Sequence, residues 1–197
     1  VPIVIDDEWI EKIKEKQPEF RDEKLERYKK EFDIPQYDAE ILTESKHMAD
    51  IFEETTAICG KPKKVSNWLM GETMRLLKEH GMEPEDISFS PANLAKLIGL
   101  TEDGTINSSV AKEVFEQVFE KNVDPESYVE EHGLKTVNDE GALEEVLKEV
   151  IAKNPKAIAD YKGGKEKALG ALVGQTMKAT KGKANPGIVN KILKELL

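Results

Sequence analysis

The sequence is poor in cysteine and histidine, and it has no long apolar run. Its single cysteine, Cys59, excludes a disulfide within these 197 residues and a zinc site made from several cysteines. We interpret Cys59 as a packing residue rather than a nucleophile, since no histidine lies near it in sequence, and we expect a reducing, cytoplasmic location. No apolar stretch approaches the roughly 20 residues that cross a bilayer, so we expect no membrane segment.

The chain also lacks a recognisable set of catalytic groups. Its three histidines, His47, His80 and His132, are isolated, and none has the spacing of a metal site. The paired acidic residues occur beside lysines on helical faces, where solvated charge is the ordinary explanation. We therefore predict no catalytic residue, no metal site and no cofactor in this chain. An independent helical enzyme is the weakest of the functional hypotheses.

Charge is abundant and unevenly distributed. The net charge of −10 divides into −17 for residues 1–147 and +7 for residues 148–197, where 11 basic residues accompany 4 acidic ones. Such an asymmetry between the parts of a chain indicates a polyanionic partner for the basic part.

Apolar residues recur at the three-and-four spacing of a buried helix face, and no strand-like alternation competes with them. The sequence therefore predicts an all-α, multihelical fold. The three clearest stripes begin at Val110, Ala142 and Ile188. Further helices are predicted over residues 7–16, 19–32, 38–57, 61–80 and 91–98. Ser90, Asn107 and Asn185 have the side chains and positions of helix N-caps.

We predict two small helical domains in tandem, because the least helical stretch of the second half runs from Glu131 to Asn138. The first domain covers residues 1–130 and the second covers residues 131–197. The β-rich residues 1–5 are expected either to be the end of a preceding domain or to form a plain extended leader.

The basic segment 173–187 has the composition of a phosphate-contacting loop. Lysines over about one and a half helical turns alternate with glycines that let a backbone approach a ligand closely. The free amides of the following helix start, with the hydroxyl of Thr176 or Thr180, would favour an anion. A solvated lysine-rich helix end is the alternative. The predicted nucleic-acid contacts are Lys178, Thr180, Lys181, Gly182, Lys183 and Asn185.

Three neighbouring features extend this prediction. Lys162, Lys165 and Lys167 either widen the cationic surface or belong to a flexible helix connection. Gln175 is placed to hydrogen-bond either a base edge or a partner helix. Gly170 and Gly174, four residues apart, make a smooth strip that we assign to helix packing, with RNA contact as the alternative.

Two segments of the sequence are similar to each other. Residues 104–114 and 182–192 each have a glycine, an asparagine three residues later, and then an apolar helix face. The two loops are either the same turn used twice or a product of shared helix-start chemistry. If the same turn is used twice, we expect the loop at Gly104 to be a structural connection and the loop at Gly182, which holds lysines, to be a contact surface.

Residues 164–186, Gly-Lys-Glu-Lys-Ala-Leu-Gly-Ala-Leu-Val-Gly-Gln-Thr-Met-Lys-Ala-Thr-Lys-Gly-Lys-Ala-Asn-Pro, resemble the C-terminal signature of the B subunits (GatB) of the tRNA-dependent amidotransferases. The similarity covers essentially the whole chain. Its further segments are 23–28, 67–68, 90–95, 103–106, 111–116 and 154–156. The resemblance implies the helical and YqeY-like tail domains that follow the catalytic domain of that family.

The same resemblance implies a function. The family converts Glu-tRNA(Gln) or Asp-tRNA(Asn) to the amide with glutamine and ATP, and this part would hold the tRNA body. ATP and Mg²⁺ would bind elsewhere, and the A and C subunits would be contacted through the preceding domain. The fragment itself is then expected to be non-catalytic. The alternative is a helical protein-docking module within a multi-subunit complex.

Overall fold

A computed structural model describes residues 19–197, and every regular element in that part of the chain is helical. The prediction of an all-α, multihelical fold is confirmed. The predictions for residues 1–5 and 7–16 lie outside the described residues. The helices are α1 (Arg21–Glu31), α2 (Gln36–Leu42), α3 (Lys46–Cys59), α4 (Pro62–Trp68), α5 (Met74–His80), α6 (Pro91–Glu102), α7 (Ser108–Lys121), α8 (Pro125–Glu131), α9 (Glu140–Lys153), α10 (Pro155–Lys162), α11 (Lys167–Ala179) and α12 (Pro186–Leu196).

The helix predicted over residues 38–57 is wrong in one respect, because the structure divides it into α2 and α3. The Thr43 hydroxyl donates to the Ala39 carbonyl, 2.7 Å away, at the end of α2. Ser45 then caps α3 by accepting from the Met48 amide at 3.2 Å. Short polar side chains that bond their own backbone end and start helices even where the apolar pattern continues.

The helix predicted over residues 61–80 is present, but its middle, Leu69–Thr73, is a π-helical turn between α4 and α5. The buried Thr73 hydroxyl donates to the Trp68 carbonyl at 3.1 Å. A π turn adds one residue to the turn and shifts the phase of the following side chains.

Buried apolar side chains form two separate clusters. The first core extends from Tyr28 to Leu134 and is centred on α3, α6 and α7. The second core extends from Leu143 to Leu193, and it forms where α9, α11 and α12 pack together. All three sequence stripes contribute to these cores. The division into domains at residue 130 stays a prediction, although the two clusters are consistent with two units.

Candidate nucleic-acid interface

Helix α11 ends in a tight turn that presents the predicted lysines. The Gly182 amide donates to the Met177 carbonyl at 2.7 Å, which reverses the chain just past the helix. This turn requires left-handed backbone, and Lys181 and Gly182 have φ angles of 52° and 77°. We name residues 180–185 the lysine loop. The loop ends at Asn185, which starts α12.

The ammonium groups of Lys178, Lys181 and Lys183 form no ion pair with any residue of the described part, 19–197. Lys178 and Lys181 are exposed, and Lys183 is half-buried. Elsewhere most cations are paired: ten of the fifteen Lys and Arg residues in 19–147 contact a carboxylate. Only four of the eleven in 148–197 do so. The basic end of the chain therefore offers free positive charge.

The other groups predicted in the lysine loop are engaged within the protein. The Thr180 hydroxyl donates to the Thr176 carbonyl at 2.9 Å, and the Thr176 hydroxyl is itself buried and donates to the Leu172 carbonyl. Asn185 accepts from the Gly187 amide and donates to Asn138. These residues build the turn, and their predicted contacts with a nucleic acid stay a prediction.

Gln175 pairs with Asn154 through two hydrogen bonds. Its Nε2 donates to the Asn154 oxygen at 3.0 Å, and its Oε1 accepts from the Asn154 nitrogen at 2.6 Å. Because this pairing uses the donor and acceptor on one edge of the amide, that edge is not available to a base. Of the two predicted roles, the structure shows the contact with a neighbouring helix end.

Lys162, Lys165 and Lys167 lie at the opposite end of α11 from the lysine loop. Lys165 pairs with Asp160 at 3.0 Å, whereas Lys162 and Lys167 are exposed and have no acidic partner among residues 19–197. At about 1.5 Å per residue, Lys167 and Lys178 are separated by about 17 Å along the helix axis. The cationic surface therefore has two ends joined by α11.

The strip at Gly170 and Gly174 has no helix packed against it in the described part of the chain. Both glycines are exposed, and a Cβ added to either would meet nothing within 4 Å. The assignment of these glycines to helix packing stays a prediction, because no partner helix for them lies among residues 19–197. They lie on the outer side of α11, because its buried residues, Leu172 and Thr176, face the second core.

This outer side carries lysines at both ends. Lys167 and Lys178 are eleven positions apart, which at about 100° per residue is within about 20° of three full turns. Gly174 lies between them on nearly the same line. We name Lys167, Gly170, Ala171, Gly174 and Lys178 the lysine-bracketed face. The signal for this face is the spacing of the two lysines, which becomes evident only when both are placed on one helix.

A separate cleft lies beside the π-helical turn. It has a volume of about 480 Å³, and Trp68 lines it while packing on Phe115 with ring centroids 5.1 Å apart. Its lysines, Lys64 and Lys112, are both paired with carboxylates. The described residues hold no group of three or more potential metal ligands and no helix that could span a membrane.

Fold and surface together define a class: an all-helical protein with two cores and a basic helical end. Comparison with known proteins identifies the family. The model of the GatB domain matches residues 50–197, about three quarters of the chain. The chain belongs to this family.

The curated relatives are the B subunits of aspartyl/glutamyl-tRNA(Asn/Gln) amidotransferases. Over the whole chain, the relative from Agathobacter rectalis is 69% identical, that from Lachnospira eligens 61%, and that from Thermodesulfovibrio yellowstonii 47%. The chain spans 42% of the length of each of these relatives.

Proposed function

We propose that this chain is the tRNA-holding C-terminal part of the B subunit of a tRNA-dependent amidotransferase. The complete complex would amidate Glu-tRNA(Gln) or Asp-tRNA(Asn), while this part grips the body of the tRNA. Membership of the GatB domain family and the names of the relatives support the substrate. Such work belongs in the cytoplasm, where charged tRNA is used.

The chain contributes binding rather than chemistry. ATP, Mg²⁺ and glutamine would be handled outside it, and the A and C subunits would be contacted through the preceding domain. The many paired carboxylates of residues 19–147 are consistent with a scaffold. A protein-docking module, the alternative, is favoured neither by the family nor by the unpaired lysines.

One observation carries the proposal: the unpaired lysines bracket a smooth helix face and continue into the lysine loop. Lysine contacts to phosphates position a nucleic acid without reading its sequence. The glycines let a sugar-phosphate backbone approach the helix closely. About 17 Å corresponds to about five nucleotide steps at about 3.4 Å each, so one strand can reach both lysines. Recognition of folded RNA by shape fits this surface.

The test replaces Lys178, Lys181 and Lys183 together with Ala and measures tRNA affinity as a function of salt. Each lysine that neutralises a phosphate contributes about one unit to the slope of log affinity against log salt. We expect the slope to become shallower by about 2 to 3, and affinity near 0.1 M salt to fall roughly ten- to hundredfold.

A matched control removes three exposed lysines that have no ion pair among residues 19–197 and lie in the acidic part: Lys30, Lys46 and Lys78. This variant has the same change in net charge, so its affinity should stay within about twofold of the unchanged protein. Equal losses in the two variants would mean that only net charge matters. Absence of tRNA binding by the unchanged chain at low salt would reject the proposal.

A further inference from the structure

The two cores are joined by a polar joint. The segment between them passes through residues 135–137, where the Thr136 amide donates to the Thr105 carbonyl at 2.7 Å. The next amide, of Val137, donates to the Lys183 carbonyl at 2.9 Å, and Val137 forms a parallel bridge with Ala184. The connecting segment is thus held by the loop before α7 on one side and by the lysine loop on the other.

These two loops are the segments whose sequences are similar, and the structure gives them the same turn. Gly104 and Gly182 have φ angles of 78° and 77°, and Asn107 and Asn185 each cap the helix that follows. Both caps were predicted, and both are confirmed. The structure also brings the two turns into direct contact, which the sequence comparison did not indicate.

The contact is made by the side chain of Asn107, which uses both of its polar atoms. Its Oδ1 accepts from the amides of Ser109 and Val110, each at 3.0 Å, and thereby caps α7. Its Nδ2 donates to the carbonyl of Gly182, between the two lysines of the lysine loop. One carboxamide therefore ties the start of a first-core helix to the loop of the second core.

We propose that Asn107 is a positioning residue, which fixes the lysine loop relative to the first core through its hydrogen bond to Gly182. Among residues 19–197 this is the only side-chain hydrogen bond between the lysine loop and the first core, whereas the backbone bonds of Thr136 and Val137 act through the connecting segment. A cavity of about 310 Å³ lies beside the joint, lined by Ser109, Met177 and Pro186 among others. The hydroxyl of Thr136 at its edge is shielded from solvent and has no partner. Because packing is incomplete there, directed hydrogen bonds decide the position of the loop.

The test uses Asn107→Asp in the 197-residue chain. Aspartate caps helices as well as asparagine does, so α7 keeps its start, but the donor to Gly182 becomes an acceptor facing a carbonyl. The measurement is hydrogen exchange at the amides of Thr136 and Val137. We expect exchange at Val137 to accelerate about tenfold or more, while exchange within α7 stays unchanged.

Asn107→Ser is the second variant. Serine also caps α7 but has no nitrogen to donate, and it introduces no charge. It should accelerate exchange at Val137 less than aspartate does. If Val137 exchanges as slowly in both variants as in the unchanged protein, Asn107 does not hold the joint and the proposal is overturned. Faster exchange throughout α7 as well would show a capping role only, and would also overturn it.

A second measurement asks whether the positioning matters for RNA, and this part alone rests on the proposed function. Folded tRNA is large enough to contact both units, whereas a short single-stranded oligonucleotide covers only the lysine loop. Asn107→Ser, which adds no negative charge beside the lysines, should lower affinity for tRNA several-fold and leave affinity for the oligonucleotide unchanged. Equal loss for both ligands, or no loss for either, would contradict a positioning role.

The two proposals fail separately. If the unchanged protein binds no tRNA, the proposed function is wrong, while the exchange measurement still decides whether Asn107 holds the joint. If the protein binds tRNA and Val137 exchange is insensitive to Asn107, the function stands and the inference about the joint is wrong.

Discussion

At the scale of single residues, Asp124 shows how one carboxylate supports local structure in two ways. It caps α8 by accepting from the amides of Glu126 and Ser127, and it pairs with Lys96 on α6. The hydrogen bond from Lys96 lowers the pKa of Asp124, and the backbone amides act in the same direction. Asp124 therefore links the end of the first core's helix array to α6.

This arrangement predicts a pH dependence. Because the folded pKa is below the unfolded value of about 3.9, the stabilisation is complete above that pH and is lost as pH falls through the folded pKa. Asp124→Asn keeps the cap but loses the ion pair, so it should cost up to about 1 kcal/mol at pH 7. In urea unfolding, the difference in free energy of unfolding between Asp124→Asn and the unchanged protein should be smaller at pH 3 than at pH 7.

Asp139→Asn is the matched control, since Asp139 caps α9 in the same way but has no ion-pair partner among residues 19–197. At pH 7, Asp139→Asn should lower the free energy of unfolding less than Asp124→Asn does. A difference for Asp124→Asn that is constant from pH 7 to pH 3 would contradict the assignment.

Single-residue predictions from the sequence are confirmed for the helix caps, whereas the predicted ligand contacts stay predictions. Ser90 and Asn107 cap their helices as predicted, because an N-cap depends on neighbouring residues only. Thr180 and Asn185 also satisfy local backbone groups, and this local bonding leaves little for a ligand. The ammonium groups of Lys178, Lys181 and Lys183 behave differently, since none of them forms an ion pair among residues 19–197.

At the scale of elements, α11 contains two glycines that lower its helix propensity and lie on its exposed face. Gly170 and Gly174 lie in a helix interior, where glycine is less favourable than alanine by about 0.5–1 kcal/mol. Nothing in the described part of the chain requires their lack of a side chain. We infer that the requirement is external, and that the lysine-bracketed face is kept smooth for RNA.

Gly174→Leu separates stability from binding. Leucine is a good helix former and has open space at this position, so the free energy of unfolding should rise by about 0.5–1 kcal/mol. The new side chain would stand between Lys167 and Lys178 and hold a nucleic acid away, so tRNA affinity should fall about tenfold or more. Thermal unfolding and a tRNA titration measure the two effects.

Gly99→Leu is a suitable comparison, because Gly99 is also an exposed helical glycine with open space around it, on α6. It should share the gain in stability without a loss of tRNA affinity. Unchanged binding by Gly174→Leu would remove the lysine-bracketed face from the proposed interface.

The elements themselves were largely predictable, and their interruptions were not. Apolar periodicity located the helices, because burial of one face dominates helix formation in a packed protein. The break at Ser45 and the π turn at Leu69–Thr73 both occur inside continuous apolar patterns. They depend on which hydroxyl bonds which carbonyl, and periodicity does not contain that information.

At the scale of the whole molecule, the two cores differ in size. The second core has eight buried apolar residues, and the first has many more. A small core loses a large part of its stabilisation when one large side chain is removed. We therefore expect the two units to respond differently to truncation of a core residue.

Leu147→Ala should destabilise the second unit by about 2–5 kcal/mol, because Leu147 is fully buried in the second core. Hydrogen exchange should accelerate in α9, α11 and α12, while α3, α6 and α7 keep their protection. The corresponding change in the first core is Leu97→Ala, which should accelerate exchange in the first unit. Uniform acceleration by Leu147→Ala would show one cooperative unit and would contradict the predicted division near residue 130.

The charge asymmetry and the all-helical class were evident from the sequence because they are sums over many residues. The joint between the two cores could not be predicted from the sequence, since its hydrogen bonds connect residues far apart in the chain, such as Asn107 and Gly182. The loop similarity pointed to both partners without indicating that they touch. Contact between distant segments depends on the relative placement of two cores, which no local pattern determines.

Helix α11 carries positive charge at two points separated by almost a whole number of turns. Inserting or deleting one residue between Lys167 and Lys178 would swing one ammonium group by about 100° around the axis and change the separation by only about 1.5 Å. Under the proposed RNA contact, the number of residues between the two lysines is constrained by the ligand as well as by the hydrophobic packing of the helix.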